Sequence, residues 1–320
     1  MQLPLELQQA IESLAKNHSL KSLVGARESV SSDYRAEKTS MTAFQDEKQL
    51  LSYLITRMPA TFAACCKVFQ ELQTRLPHFA IDSLLDLGSG PGSASWAGLM
   101  CFKTLQRLYL VEREKMAIDV GRQLFQLIHS HIEWTHASLE SAFSVPAVSL
   151  AVFSYVLAEM NVEDGWAAVL RVWNSATPLI ALIEPGTPRG YQRMIEMRAR
   201  AIAIGAKVLA PCPHHLPCPL KGNDWCHFAA RVERGKLHRQ LKGGALGFED
   251  EKFSYVILVK PNIYVEPFGA RILRRPIKAS GFVKLELCKG EGVIEQHVIT
   301  RSDKQNYRAA RDAAWGDPWM

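Results

Sequence analysis

The stretch Leu84–Trp96, LLDLGSGPGSASW, decides how the rest of the chain is read. Leu84, Leu85 and Leu87 form a short apolar run interrupted by Asp86, the pattern of a strand buried on both faces. Gly88, Gly90 and Gly92 then make a turn, and Ala94, Trp96, Ala97 and Leu99 open a helical pattern. Glycine is needed where the backbone takes positive φ or lies directly against a ligand. The helix that follows points free N–H groups at whatever the turn holds. A dinucleotide fingerprint requires G-x-G-x-x-G. Here the pattern is D-x-G-x-G-x-G, and Ser93 stands where the third fingerprint glycine belongs. Asp86 would repel a pyrophosphate but attract the cationic amino end of S-adenosylmethionine, directly or through water. The next apolar run, Arg107 to Glu114, carries Glu112 at the point where ribose hydroxyls are usually held.

Outward from this stretch the chain alternates strand and helix. Strands are expected at 83–87, 108–112, 132–135, 149–155 and 178–184, with helices at 93–105, 115–129 and 164–173 between them. This predicts an α/β fold, a Rossmann-like parallel sheet of the class I S-adenosylmethionine methyltransferase type. Ligands of such sheets sit beyond the carboxyl ends of the strands. Asp86, Glu112, Ser138, Ser154 and Glu184 all fall there. The candidate cofactor residues are therefore Asp86, Gly88, Ser89, Gly90, Gly92, Glu112, Ser138 and Ser154.

Three regions follow. Residues 1–78 read as helical, since Leu7, Ile11 and Leu14 and later Phe62, Cys66 and Phe69 recur at i, i+4, i+7. Arg27 to Ser40 is polar and reads as an ordered loop or broken helix, and Cys65 and Cys66 read as core fillers. Residues 79–260 hold the alternating sheet, and a helix is expected at 191–205. Residues 261–320 are basic and rich in strand signals, and an antiparallel run that begins at 252–259 continues into them at 281–288 and 292–300.

The chain has 320 residues and is 48% hydrophobic and 22% charged, ordinary proportions for a globular protein. No apolar run reaches membrane-span length, and the first residues lack a basic start followed by an apolar core. Seven cysteines without such a leader argue against a disulfide scaffold. The expectation is a cytoplasmic, monomeric protein with no membrane partner. Its net charge of +6 is concentrated, with eleven Lys/Arg against five Asp/Glu from Arg231 to Ser280. Such a segment suits a polyanion, and Arg271, Arg274, Arg275 and Lys278 are the expected RNA-phosphate contacts.

Between 210 and 228 periodicity fails. Pro211, Pro213, Pro217 and Pro219 exclude helix and central strand, and Cys212, Cys218 and Cys226 are separated by five and seven residues. A loop with so little core needs another source of order, which a metal supplies. Zinc sites usually pair their ligands as C-x2–4-C, which neither spacing does, although His214, His215 or His227 could complete a tetrahedron. Wide spacing and a distant fourth cysteine suit an iron–sulfur cluster better, and Cys288, ending an apolar strand, is the natural fourth ligand. Zinc stays the alternative.

These residues resemble the methyltransferase-like small-ribosomal-subunit protein family, whose mitochondrial members accompany small-subunit assembly and whose bacterial members are predicted ribosomal RNA methylases. The matching stretches are RMPATFAA (57–64), LLDLGSGPGSASWA (84–97), SYVLAEM (154–160), IEPGTPRG (183–190), CPHHLPCPL (212–220), WCHF (225–228), FEDEKFSY (248–255) and YRAARDAAWGD (307–317). The resemblance implies a [4Fe–4S] cluster on Cys212, Cys218, Cys226 and Cys288, an S-adenosylmethionine fold, and small-subunit ribosomal RNA as partner. Catalytic residues do not follow. Ser154-Tyr155-Val156-Leu157 stands where amino-methylating enzymes carry an acid or amide followed by two prolines and an aromatic, and there is no Pro-Cys pair for attack on a pyrimidine. Tyr155 and Glu159 are candidates by position only. Two functions remain in view: an RNA methyltransferase, or a non-catalytic assembly factor that keeps the cofactor fold. Radical chemistry is disfavoured, because four cysteines would fill every iron.

Overall fold

The computed structural model describes residues 1–35, 44–126 and 128–319. Four helices open the chain: α1 (Leu5–Ala15), α2 (Leu20–Arg35), α3 (Glu47–Thr56) and α4 (Met58–Arg75). Asp46 caps α3 by accepting from the Gln49 N–H at 2.9 Å, and Pro59 sits in the first turn of α4, where its missing donor costs nothing. The expected loop or broken helix at 27–40 is instead helical as far as Arg35, and 36–40 lie outside the described residues. Cys65 and Cys66 are buried within α4.

The central run is β1 (Ser83–Leu87), α5 (Ser93–Cys101), β2 (Arg107–Glu112), α6 (Lys115–Leu124), β3 (His131–His136), β4 (Leu150–Ser154), α7 (Val162–Trp173), β5 (Leu179–Pro185) and α8 (Pro188–Ala203). It continues through β6 (Lys207–Ala210), β7 (Phe228–Glu233), α9 (Lys236–Lys242) and β8 (Phe248–Val259). The first five strands are parallel in the order β3-β2-β1-β4-β5. Strand β8 enters antiparallel beside β5, and its other edge takes up β6 and β7, giving a mixed sheet of eight strands. Every residue of β1 and β4 is buried, because apolar layers cover both faces. The N-terminal helices pack on one face and α7 and α8 on the other. Chain order reverses between β1 and β4, which opens the ligand crevice of this kind of sheet at their carboxyl ends.

A second sheet follows, built from β9 (Ala270–Ile272), β10 (Ile277–Lys278), β11 (Phe282–Lys289), β12 (Ile294–Thr300) and β13 (Pro318–Trp319), with α10 (Lys304–Asp312) against it. Its small core is Ile272, Val283, Leu285, Leu287, Ile299 and Ala310. Strands β6 and β7 and helix α9 carry no strong sequence signal. Four residues, KVLA, are too few to show alternation, and FAARVE follows directly on the proline-rich loop. Among the described residues no helix is long and apolar enough to cross a membrane.

Candidate functional site

The turn after β1 is held to β2 by its own backbone: the Gly88 and Ser89 N–H groups both donate to the Val111 carbonyl, at 2.9 and 3.2 Å. All three glycines take positive φ, at +66°, +53° and +95°. They differ in surroundings. A Cβ on Gly88 would strike Val156 and one on Gly92 would strike Phe125, whereas one on Gly90 would meet nothing within 4 Å. Gly90 is thus where backbone faces open space.

Two carboxylates flank this turn. Asp86 is fully buried; its Oδ2 accepts from the Ser95 N–H at 3.0 Å and the Ser95 hydroxyl at 2.8 Å, while Oδ1 has no partner. Burial pushes its carboxyl up to about 7, against the opposing pull of the Ser95 hydrogen bonds. Glu112 accepts from the Gly90 N–H at 2.7 Å and from the Arg113 and Glu114 N–H groups at 2.8 and 2.9 Å. Burial raises it as well, while those backbone bonds oppose the rise. The predicted serines do other work. Ser89 donates to the Gly90 carbonyl at 3.3 Å, and Ser138 accepts from the Glu140 N–H within its own turn. Ser154 is buried at the end of β4.

At the end of β4, Tyr155 has φ +59°, an uncommon conformation for a bulky residue. Its hydroxyl donates to Glu251 at 3.0 Å, and Glu251 in turn pairs with Arg57 at 3.6 Å. At the end of β5, Glu184 is fully buried, accepts from the Leu157 and Ala158 N–H groups, and leaves Oε2 without a partner. Burial pushes it up to about 8. Gly190 lets α8 close on this strand end, since a Cβ there would stand 2.1 Å from the Pro185 carbonyl oxygen. Helices α3 and α4 cover the same end of the sheet, with the Tyr53 hydroxyl 3.4 Å from Ser93 Oγ. Tyr53 had no motif-level signal, and Arg57 and Glu251 fall in the family-like stretches 57–64 and 248–255 with no signal of their own there. They sit here because distant segments pack over the strand ends.

The four predicted metal ligands share a cavity without closing into a metal-binding group. Cys212, Cys218 and Cys226 from the loop and Cys288 from β11 line one cavity. Burial raises the Cys212 and Cys226 thiols and pushes Cys288 up to about 12, with the neighbouring sulfurs adding to each rise. Among the described residues no group of three or more Cys, His, Asp or Glu converges closely enough to hold a single metal ion. That bears on zinc and on an iron–sulfur cluster alike and favours neither. The histidines are engaged elsewhere or singly: His215 Nε2 accepts from the Val208 N–H at 2.9 Å, His227 stacks on Trp225, and His214 Nε2 lies 3.4 Å from Cys288 Sγ. Missed in the sequence were Tyr191, whose hydroxyl donates to Cys218 Sγ at 3.2 Å, and the buried guanidinium of Arg198.

The expected RNA contacts divide. Arg271 is corrected: it is 1% exposed, donates to the carbonyls of Pro211 and Gly316 at 2.8 and 2.7 Å, and pairs with Glu71 at 2.6 Å. A side chain so enclosed cannot reach a phosphate. Arg274 is held by Asp224 and Glu286. Arg275, paired with Asp250 at 3.1 Å but 70% exposed, and the exposed Lys278 remain at the surface.

A family described as mitochondrial small ribosomal subunit Rsm22 matches residues 47–320. The human mitochondrial ribosome assembly protein METTL17 is 27% identical over 287 residues, covering 83% of this chain and 61% of that one. The mitochondrial ribosome assembly protein RSM22 of Saccharomyces cerevisiae is 25% identical over 205 residues, 41% of this chain and 33% of that one. The chain thus spans about three fifths or less of the length of these relatives. Magnesium protoporphyrin IX methyltransferase from Synechocystis, solved with S-adenosylmethionine, aligns at TM-score 0.42 and 11% identity over 72% of this chain and 90% of that one. The expected cytoplasmic location is overturned by the relatives, which are mitochondrial proteins. The cysteine count argues against a disulfide scaffold and does not say which compartment holds the protein.

Proposed function

The chain belongs to the Rsm22 family, and from that membership we propose that it is an S-adenosylmethionine-binding, methyltransferase-like protein that works on or with small-subunit ribosomal RNA during ribosome assembly. The observation that carries the cofactor reading is the crevice at β1: Gly90 faces open space, with Asp86 and Glu112 on either side. The unpartnered Asp86 Oδ1 fits a cationic amine, which would favour the ionised carboxylate that burial disfavours. When bound, the cofactor supplies an electrophilic methyl group. Glu112 is placed to turn from the Gly90 N–H to ribose hydroxyls, and Gly90 lets the backbone approach. Asp86→Ala removes a charge-assisted contact, so affinity should fall about tenfold or more. Gly90→Val adds bulk in the open space and about 1–2 kcal/mol of left-handed strain. Calorimetry showing unchanged S-adenosylmethionine affinity in both variants would remove this assignment.

The non-catalytic reading is favoured by the end of β4. The Tyr155 hydroxyl is engaged by Glu251, which does not leave it as a base at the crevice. Mass spectrometry of ribosomal RNA from cells with and without the gene separates the two readings, since only methyl transfer leaves a modified base. For RNA contact, charge reversal at Arg275 and Lys278 should flatten the salt dependence of binding to a ribosomal RNA fragment by about one log–log unit per phosphate contact. An unchanged slope would mean that these charges only face solvent.

We further propose that Cys212, Cys218, Cys226 and Cys288 hold a [4Fe–4S] cluster. Its support is their shared cavity and the buried Arg198 guanidinium that lines it, which suits an anionic group. The cluster would tie the loop after β6 to the C-terminal sheet.

A further inference from the structure

Helix α8 leaves the end of β5 and passes the four-cysteine cavity, which Tyr191, Met194, Ile195 and Arg198 line as one stripe of the helix. One member of that stripe bonds to sulfur and another faces the same cavity. The Tyr191 hydroxyl donates to Cys218 Sγ at 3.2 Å. Two turns on, Arg198 is 4% exposed and lines the same cavity as Cys212. Its Nη2 donates to the His214 carbonyl at 2.7 Å, and its Nε has no partner. The other buried guanidinium at this cavity, Arg271, is neutralised by Glu71, whereas Arg198 pairs with no carboxylate among the described residues. An uncompensated buried cation costs several kcal/mol unless an anion is brought to it. Four cysteinates around a cluster carry net negative charge, and each added electron makes it more negative.

We propose that Tyr191 and Arg198 are positioning residues that set the electron affinity of the centre held by Cys212, Cys218, Cys226 and Cys288. The inference rests on the cluster reading of those cysteines. A hydrogen bond to sulfur and a nearby cation both favour the more electron-rich state, so both raise the reduction potential. The step is a one-electron reduction from the 2+ to the 1+ core, with no bond made or broken, and dithionite is the donor in the test.

Anaerobically purified wild-type, Tyr191→Phe, Arg198→Met and Arg198→Lys proteins are assayed for iron and then titrated with dithionite, followed by visible absorbance and electron paramagnetic resonance. Tyr191→Phe should keep its iron and be harder to reduce. Arg198→Met should shift the reduction equilibrium about tenfold, or about 59 mV for one electron, and Arg198→Lys should recover part of that shift. Full iron content with wild-type potentials in Tyr191→Phe and Arg198→Met would overturn the proposal and leave the cluster standing. Wild-type protein without iron would overturn both. If Arg198→Met loses its iron, the Tyr191→Phe potential still decides.

Discussion

Protein purified without oxygen will be brown and will carry about four iron per chain, as one [4Fe–4S] cluster requires. Cys212→Ser, Cys218→Ser and Cys226→Ser should each lose iron and loosen the loop, because metal binding is part of the folding free energy of a segment with little core. Cys288→Ser should do the same, although it stands 62 residues beyond Cys226 in the chain, because it lines the same cavity. Cys65→Ser and Cys66→Ser are the controls: both thiols lie in the α4 core, and their loss should leave the colour unchanged. Colourless protein with one tightly held zinc would replace the cluster with a mononuclear site. Metal-free protein with an ordered loop would sink both.

The second large effect is expected at Arg271, which the charge pattern alone assigns to the surface. Its guanidinium joins three remote segments: Glu71 in α4, the Pro211 carbonyl at the start of the cysteine loop, and the Gly316 carbonyl near the C-terminal end. Arg271→Met strands a carboxylate at 15% exposure and two carbonyls, so it should lower the unfolding free energy by about 3–5 kcal/mol. Urea denaturation measures this through the midpoint at constant slope. The same variant should leave the salt slope of RNA binding unchanged. Wild-type stability together with a flattened slope would return Arg271 to the RNA-facing surface.

Much of the sheet is legible in the sequence because its elements are set by local period. The apolar runs of β1, β2, β4 and β5 and the glycines after β1 specify strand, turn and helix within a few residues of themselves. The cysteine loop is legible for the same reason, since its prolines exclude regular structure locally. Strand β8 is harder to place. Its apolar end, FSYVILV, reads as a strand, but insertion between β5 and β6 is a long-range pairing that no local pattern encodes.

By itself, then, the sequence determined the parallel strand–turn–helix units, the carboxylates flanking the glycine turn, and the three loop cysteines with Cys288 as their proposed partner. Only the tertiary structure decided which polar side chains are spent inside the protein. Arg271 and Arg275 are alike in the sequence, four positions apart, yet one is sealed against Glu71, Pro211 and Gly316 and the other lies open on Asp250. Tyr191 and Arg198 look like ordinary members of an amphipathic helix until the loop folds across them, setting Cys218 sulfur against Tyr191 and closing the cysteine cavity around Arg198. Period fixes the face of an element on which a side chain stands. What covers that face is set by segments tens to hundreds of residues away, and burial, charge compensation and hydrogen-bond partners follow from that cover.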